Sequence, residues 1–273
     1  MTVPFSHPGD SRIFFLGLAL LCLPLSVLAA DATNEPPASV RAGGSVTNPA
    51  AIHELLLAAD RARGNLDGVL WTVGITAIED GSTKANVYAV KARGFDILAE
   101  VVEPSRQKGN QLLMHMGNMW FSKPDLSKPV PISQRQRLSG CAANGDLAAT
   151  DYADDYEPTV ADDAVLDGET CHVFDLKARD RHCTYDRVIH YVSHNRRVGI
   201  RSDYYTSTGK LIKTARMSYT NAVAGADGKI LPFISEIFIR DAVATNNVAT
   251  MFFSPPTLQP LSPETFDVNR LRK

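Results

Sequence analysis

Four histidines lie close together in the chain, His172, His182, His190 and His194, and imidazole nitrogens are common ligands for zinc. His190 and His194 have the i, i+4 spacing that puts two imidazoles on one face of a helix and holds the metal of a metalloprotease. The residues around them read as a strand and its turn, on which those two side chains diverge, and no Glu follows His190. The expectation is therefore no metal and no cofactor, with the histidines as solvated surface groups. Asp151, Asp154, Asp155 and Glu157 offer oxygens of the kind calcium takes, but they lack the central glycine and closing glutamate of a calcium loop. A solvated or salt-bridged loop is expected there. Ser139-Gly140-Cys141 has no strand-to-helix context for a nucleophile, and no phosphate-binding or dinucleotide glycine fingerprint occurs. The chemistry on offer points away from catalysis.

A second set of residues is apolar. Trp71, Met114, Met116, Met119, Trp120, Phe121, Phe238, Met251, Phe252 and Phe253 sit in segments that alternate with polar residues. Core packing accounts for any one of them. Together they exceed what a single helix covers, and an incompletely covered sheet face is a pocket for something apolar. Methionines suit such a pocket because their unbranched side chains adapt to ligands of variable shape.

The elements that must position these residues are few in kind. Asn48 can cap a helix with Pro49 at its first position, Ile52, Leu55, Leu56, Ala59 and Ala62 recur at helical spacing, and Gly64 supplies the stop. The pattern then alternates. Val69–Ile78 and Thr83–Lys91 flank the hairpin signal Asp80-Gly81, Phe95–Val102 follows, and Gln111–Phe121 is broken by Gly117-Asn118, with Leu112, Met114 and Met116 on one face. Ser122–Pro158 is a long loop with little periodicity. Strands resume over Cys171–Lys177, Thr184–Val192, Gly199–Thr206, Leu211–Tyr219, Phe233–Arg240 and Val248–Phe253. Phe266 and Leu271 read as plugs for the C-terminal segment. About ten consecutive antiparallel strands and one helix predict a single large curved sheet with the helix across its concave side.

The chain has 273 residues, 44% hydrophobic and 21% charged, so a sizeable core is expected without staples. A net charge of -2 leaves no footprint for nucleic acid. Ile13–Leu25 is an apolar run preceded by Arg12 and followed by Ser26-Val27-Leu28-Ala29-Ala30, the layout of a secretory signal peptide cleaved after Ala29 or Ala30. Acylation at Cys22 is disfavoured by Leu21 in front of it. The mature chain keeps Cys141, Cys171 and Cys183; a turn near Ala178–Arg181 would set Cys171 opposite Val188, out of disulfide reach, and buried thiols acting as small hydrophobes are expected.

Gly117-Asn118-Met119-Trp120-Phe121 with Pro124, Gln136-Arg137-Leu138-Ser139-Gly140, Ala143-Asn144-Gly145-Asp146 and Asp151-Tyr152-Ala153-Asp154-Asp155-Tyr156 resemble the bacterial outer membrane lipoprotein-sorting protein family, within the LolA/LolB-type carriers. Asp167-Gly168-Glu169-Thr170-Cys171, Tyr185-Asp186-Arg187 and Gly209-Lys210-Leu211 fit the same pattern, and the resemblance runs from about Pro49 to Leu271. It implies a mainly β fold, a curved antiparallel LolA-like half-barrel with the N-terminal helix packed on the concave face. The organisation that follows is a signal peptide over 1–30, a flexible linker over 31–47 and a single lipid-binding domain over 48–273. The implied role is a monomeric, non-catalytic periplasmic carrier of lipid or lipoprotein acyl chains, with an inner-membrane transporter and an outer-membrane acceptor as partners. Trp71, Met114, Met116, Trp120, Phe121, Phe238 and Met251 would line or lid the cavity, and Arg135, Arg137, Asn144 and Asp151 would shape its mouth or meet a partner. Two other readings stand beside it: an envelope sensor or accessory protein of an RND-type exporter that grips a membrane protein, and a metal-dependent hydrolase built on the histidines.

Overall fold

The computed structural model describes residues 45–271 apart from 149, 226 and 227, so the signal peptide, Cys22 and most of the linker lie outside the described residues. The first element is the expected helix, α1 (Pro49–Ala62). The Asn48 side chain accepts a hydrogen bond from the Ala50 N–H at 2.9 Å, and Pro49 stands where a missing N–H costs nothing. Ile52, Leu55, Leu56 and Ala59 form its buried stripe.

Alternating sequence then gives strands β1 (Asp67–Glu79), β2 (Ser82–Arg93), β3 (Asp96–Glu103), β4 (Gln111–His115), β5 (Asn118–Ser122) and β6 (Val130–Ile132). The long loop is not featureless: it folds a small hairpin, β7 (Arg137–Ser139) and β8 (Ala142–Ala143), and a single helical turn, α2 (Asn144–Leu147). The chain returns through β9 (Tyr156–Leu166), β10 (Glu169–Ala178), β11 (Arg187–Ser193), β12 (Gly199–Tyr205) and β13 (Leu211–Ser218). A side hairpin, β14 (Asn221–Ala224) with β15 (Ile230–Phe233), precedes β16 (Glu236–Asp241), β17 (Val248–Phe253) and the short β18 (Thr257–Leu258).

The main sheet is antiparallel in the order β6-β5-β4-β3-β2-β1-β17-β16-β13-β12-β11-β10-β9, with β18 on β1. Its end strands do not meet, so it is an open curved sheet and not a barrel. Period-two alternation decides its faces: Trp71, Val73, Ile75 and Ala77 of β1 join Val90, Ile97, Ala99, Leu112, Ala215, Ile239 and Met251 in one core with α1. On the opposite face the C-terminal segment packs Phe266 and Leu271 on Leu113, as expected.

Three strand expectations change. The segment over Phe233–Arg240 divides at Ile234-Ser235, because Phe233 ends the side hairpin and turns under α1, where the Ile234 N–H bonds to the Ala62 carbonyl at 2.8 Å. Tyr156–Leu166 is a strand although Pro158, Asp162 and Asp163 hide the alternation; it is the sheet's edge, where prolines and charges are tolerated. Cys171 faces Ser193 and not Val188, because the β10–β11 connection is longer than a tight turn. All three thiols in the described residues are free, with Cys171 and Cys183 buried and Cys141 half-buried.

Candidate functional site

The concave face is the part of the molecule with most to offer a ligand, and two kinds of cover lie on it. One is α1, which lies nearest β11 and the side-hairpin strand β15, and packs with Phe233 and Ile234 into the concave core. Trp71 meets Phe233 edge to face with ring centroids 5.9 Å apart, and the Trp71 indole N–H has no hydrogen-bond partner. Met251 is fully buried, while Met114 and Trp71 are almost so.

The other cover is the long loop, which reaches from β1 and β16 to β13. Gly140 (φ +54) lets it lie against β1: a Cβ there would come within 2.6 Å of the Ala77 methyl. The loop carries Leu147, Tyr152 and Tyr156 into the core. The end of α1 is tied to it by a buried ion pair. Arg63 donates to Asp60 at 2.8 Å and to the Thr150 carbonyl, and its guanidinium stacks 4.4 Å from the centre of the Tyr152 ring. The other Asp60 oxygen accepts from the N–H groups of Tyr152 and Ala153 at 2.9 and 3.0 Å. Burial pushes the Asp60 carboxyl up to about 6, opposed by the lowering effect of Arg63 and those N–H groups.

The network continues inward. Tyr152 and Tyr204 share a hydroxyl contact at 3.2 Å, Tyr185 donates to Asp146 at 2.6 Å, and Lys213 reaches Asp146 and the Cys141 carbonyl. His190 bonds Ser202 at 2.8 Å beneath the Tyr152 ring, and burial lowers its pKa to about 3. Gly199 is required there, since a Cβ would sit 2.3 Å from the imidazole.

The apolar residues singled out in the sequence divide among three places. Trp71, Met114, Met251 and the partly buried Phe121 belong to the concave core. Trp120 points to the opposite face, beneath the C-terminal segment with Leu113 and Phe266. Phe238 lies between Ile237 and Ile239, which face the core, and is stacked under Arg240 at 5.6 Å. Met116 does not share a face with Leu112 and Met114: it occupies the β4–β5 turn at φ +48 and is 79% exposed. The turn consists of Met116 and Gly117, and a one-residue misplacement of the break put Met116 on the strand.

Among the polar candidates, Arg135 donates to Asp186 at 2.7 Å and to the Cys183 carbonyl at 2.9 Å, pinning the loop to the β10–β11 connection. Arg137 pairs with Glu79, and the buried Asn144 donates to the Ser133 carbonyl at 3.1 Å. Burial, then the nearby Asp60 charge, raises Asp151 to about 7. Asp154 accepts a hydrogen bond from His53 Nε2 at 3.0 Å.

The histidines are not surface groups as a set. His172 and His190 are buried, because they alternate in phase with Phe174, Leu176, Val188 and Val192, which face the covered concave core. His172 and His194 stack with ring centroids 3.6 Å apart beside Asp163, while His182 sits apart, exposed on the β10–β11 connection. Burial, then His194, lowers the pKa of His172.

The concave face is thus covered more fully than one helix would allow, since the long loop shares the task. Where α1 meets the β14–β15 hairpin the cover is incomplete. A cleft of about 460 Å³ opens there, lined by Leu57, Ala58, Ala62, Leu66, Val198, Val223, Leu231 and Pro232, with Glu54, Arg61, Arg196 and Arg197 beside them. Sequence reasoning missed this cleft. Leu231 and Val223 belong to a hairpin whose alternation is too short to read.

Residues 96–273 match a family model described as an uncharacterized protein, which is more than half of the chain. The chain belongs to that family. Its fold is LolA-like, which three solved structures bear out. A LolA superfamily protein from Nitrosomonas europaea is 28% identical, covers 78% of this chain and 96% of its own, and superposes with a TM-score of 0.69. A DUF1329 family protein from Desulfovibrio piger is 17% identical over 83% of this chain and 100% of its own, with a TM-score of 0.68. An outer membrane lipoprotein-sorting protein domain from Vibrio parahaemolyticus is 15% identical over 82% and 99%, with a TM-score of 0.69. No curated protein matches the sequence. No described helix of this LolA-like chain is long and apolar enough to cross a membrane.

Proposed function

We propose that the protein is a non-catalytic periplasmic carrier that takes an acyl chain of a lipid or lipoprotein between its concave face and α1, for transfer towards the outer membrane. The observation that carries this reading is the form of the cover. One helix and one loop roof a wide apolar sheet, where a sandwich would use a second sheet, and an apolar cleft already opens along the helix. A roof of that kind separates from the sheet without breaking the strand ladder. Each methylene of an entering chain contributes about 0.8 kcal/mol, so a modest length of acyl chain offsets the contacts it displaces. Arg61, Arg196 and Arg197 beside the cleft suit an anionic headgroup left outside. The 28% identical LolA superfamily protein and the lipoprotein-sorting domain support the class of cargo.

Native mass spectrometry of protein recovered from the periplasm, followed by organic extraction, tests the reading. A co-purifying acylated species, or uptake of added lipid that Leu231→Glu in the cleft weakens at least tenfold, is the expected result. A clean apo mass with no uptake overturns it.

One observation favours a second reading, the envelope sensor or accessory protein of an RND-type exporter. The core is well filled, and beside the cleft Ile230 and Leu231 are 70% and 40% exposed, an apolar rim that a protein partner would cover. Capture of a membrane protein by a chain that takes up no lipid would decide for that alternative.

A further inference from the structure

We infer that Asp163, His172 and His194 form a binding site for a divalent transition metal of the zinc type. The site begins as a local irregularity of the sheet. Between Cys171 and Val173 the pairing of β10 with β9 slips, so that Asp162 and Asp163 together oppose His172. Such a bulge re-aims side chains, and here it brings Asp163 to the face that carries His172. The turn after β11 supplies the third group: the His194 N–H bonds to the Thr170 carbonyl at 3.1 Å, which fixes the imidazole beside β10.

The donor atoms converge. One from each residue lies within 4.8 Å of the others. His172 Nδ1 is 3.4 Å from Asp163 Oδ1, and His194 Nε2 is 3.1 Å from Asp163 Oδ2. Donors bound tetrahedrally to zinc at its usual bond lengths stand about 3.3 Å apart, and each imidazole nitrogen lies near that distance from its own Asp163 oxygen. Asp163 Oδ1 and His194 Nε2 are sealed from solvent, yet neither makes a hydrogen bond of acceptable geometry. Buried polar atoms at contact distance without a hydrogen bond between them are an arrangement that a cation would satisfy. Two imidazoles and one carboxylate make a borderline-soft donor set suited to zinc or its neighbours, and a fourth position stays open.

The site differs from the histidine grouping legible in the sequence. His190 is committed to Ser202 and His182 stands apart, whereas the carboxylate comes from an edge strand. The Ser45 hydroxyl, 3.2 Å from His172 Nδ1, brings the segment that enters α1 to the same point. A bound ion would therefore clasp β9, β10 and the β11–β12 turn next to the start of the roof helix.

The test is isothermal titration of tag-free, chelator-treated full chain with Zn²⁺, together with the visible spectrum of the Co²⁺ form. The expected result is one ion per chain, with affinity reduced at least tenfold in Asp163→Asn and again in His194→Ala, and unchanged in His182→Ala. Both replaced side chains are partly exposed, and circular dichroism establishes that the variants fold. Absence of binding by the wild type, or binding that Asp163→Asn and His194→Ala leave intact, overturns the assignment. A zinc-dependent rise in Tm of the wild type that these variants lose is the second measurement.

Discussion

The two ends of the concave face do the same job by different physics. Around β1 and β17 the concave core is carbon: Trp71, Val73, Ile75, Met251 and Leu56 are buried in one cluster, with Trp71 against Phe233. Towards β10–β13, the end of α1, the long loop and the strands meet through deeply buried polar pairs, Asp60–Arg63, Tyr152–Tyr204, Tyr185–Asp146–Lys213 and His190–Ser202. Carbon contacts are non-directional and can be exchanged for an acyl chain. A buried ion pair is specific in direction and costly to leave half made. On the proposed carrier reading, the apolar contacts are the ones that open, and the polar pairs fix where the roof returns.

The largest expected effect lies at the polar end. Arg63→Met leaves the Asp60 carboxylate buried without its partner and should lower the unfolding free energy by about 5 kcal/mol, measured by urea denaturation. Combining it with Asp60→Asn should restore much of that loss, because the uncompensated charge goes too. At the apolar end Trp71→Ala should cost about 4 kcal/mol, as the lost transfer energy plus a cavity, and no second substitution in the network should restore it. If the double variant is no better than Arg63→Met, the pair is not what holds the polar end, and the contrast between the two ends fails.

Asp151 sharpens the comparison through pH. Its folded-state pKa is raised from 3.8 to about 7, first by burial and then by Asp60. In that window the folded protein holds a proton that the unfolded chain has released, so its contribution is fully present below pH 4 and is lost as pH rises towards 7. With its partial exposure taken into account, the effect is on the order of 1–2 kcal/mol. Asp151→Asn should flatten the stability profile between pH 5 and 7.5. An unchanged slope would place the titrating group elsewhere.

Much of this architecture is legible in the residues themselves. Asn48-Pro49 and the Ile52–Ala59 stripe specify α1, and Asp80-Gly81 fixes the first hairpin, because capping and turn chemistry are local. The motifs of the 117–156 region carry the resemblance to the LolA-type carriers. What escaped notice depends on contacts between distant segments. Nothing local says that Gly140 lies on Ala77, that Asp60 meets Tyr152, or that a bulge turns Asp163 towards His172. Trp120 and Phe238 were assigned by size when their face is set by register, a one-residue property.

Met116 gives the smallest effect and the sharpest discrimination. It sits at φ +48 in a two-residue turn with Gly117 at φ +73, a conformation that favours Asn-Gly, and its side chain is 79% exposed. An L-residue in that region costs roughly 1–2 kcal/mol, less for Asn, so Met116→Asn should stabilise the protein by up to about 1 kcal/mol. The Asp96 carboxylate accepts from the Met116 N–H and from His115, contacts that Asn would keep. Because the Met116 side chain is exposed at the hairpin tip, acyl uptake should match the wild type. Reduced uptake in a stabilised Met116→Asn protein would move the tip into the transfer route and extend the openable end of the roof to β4 and β5.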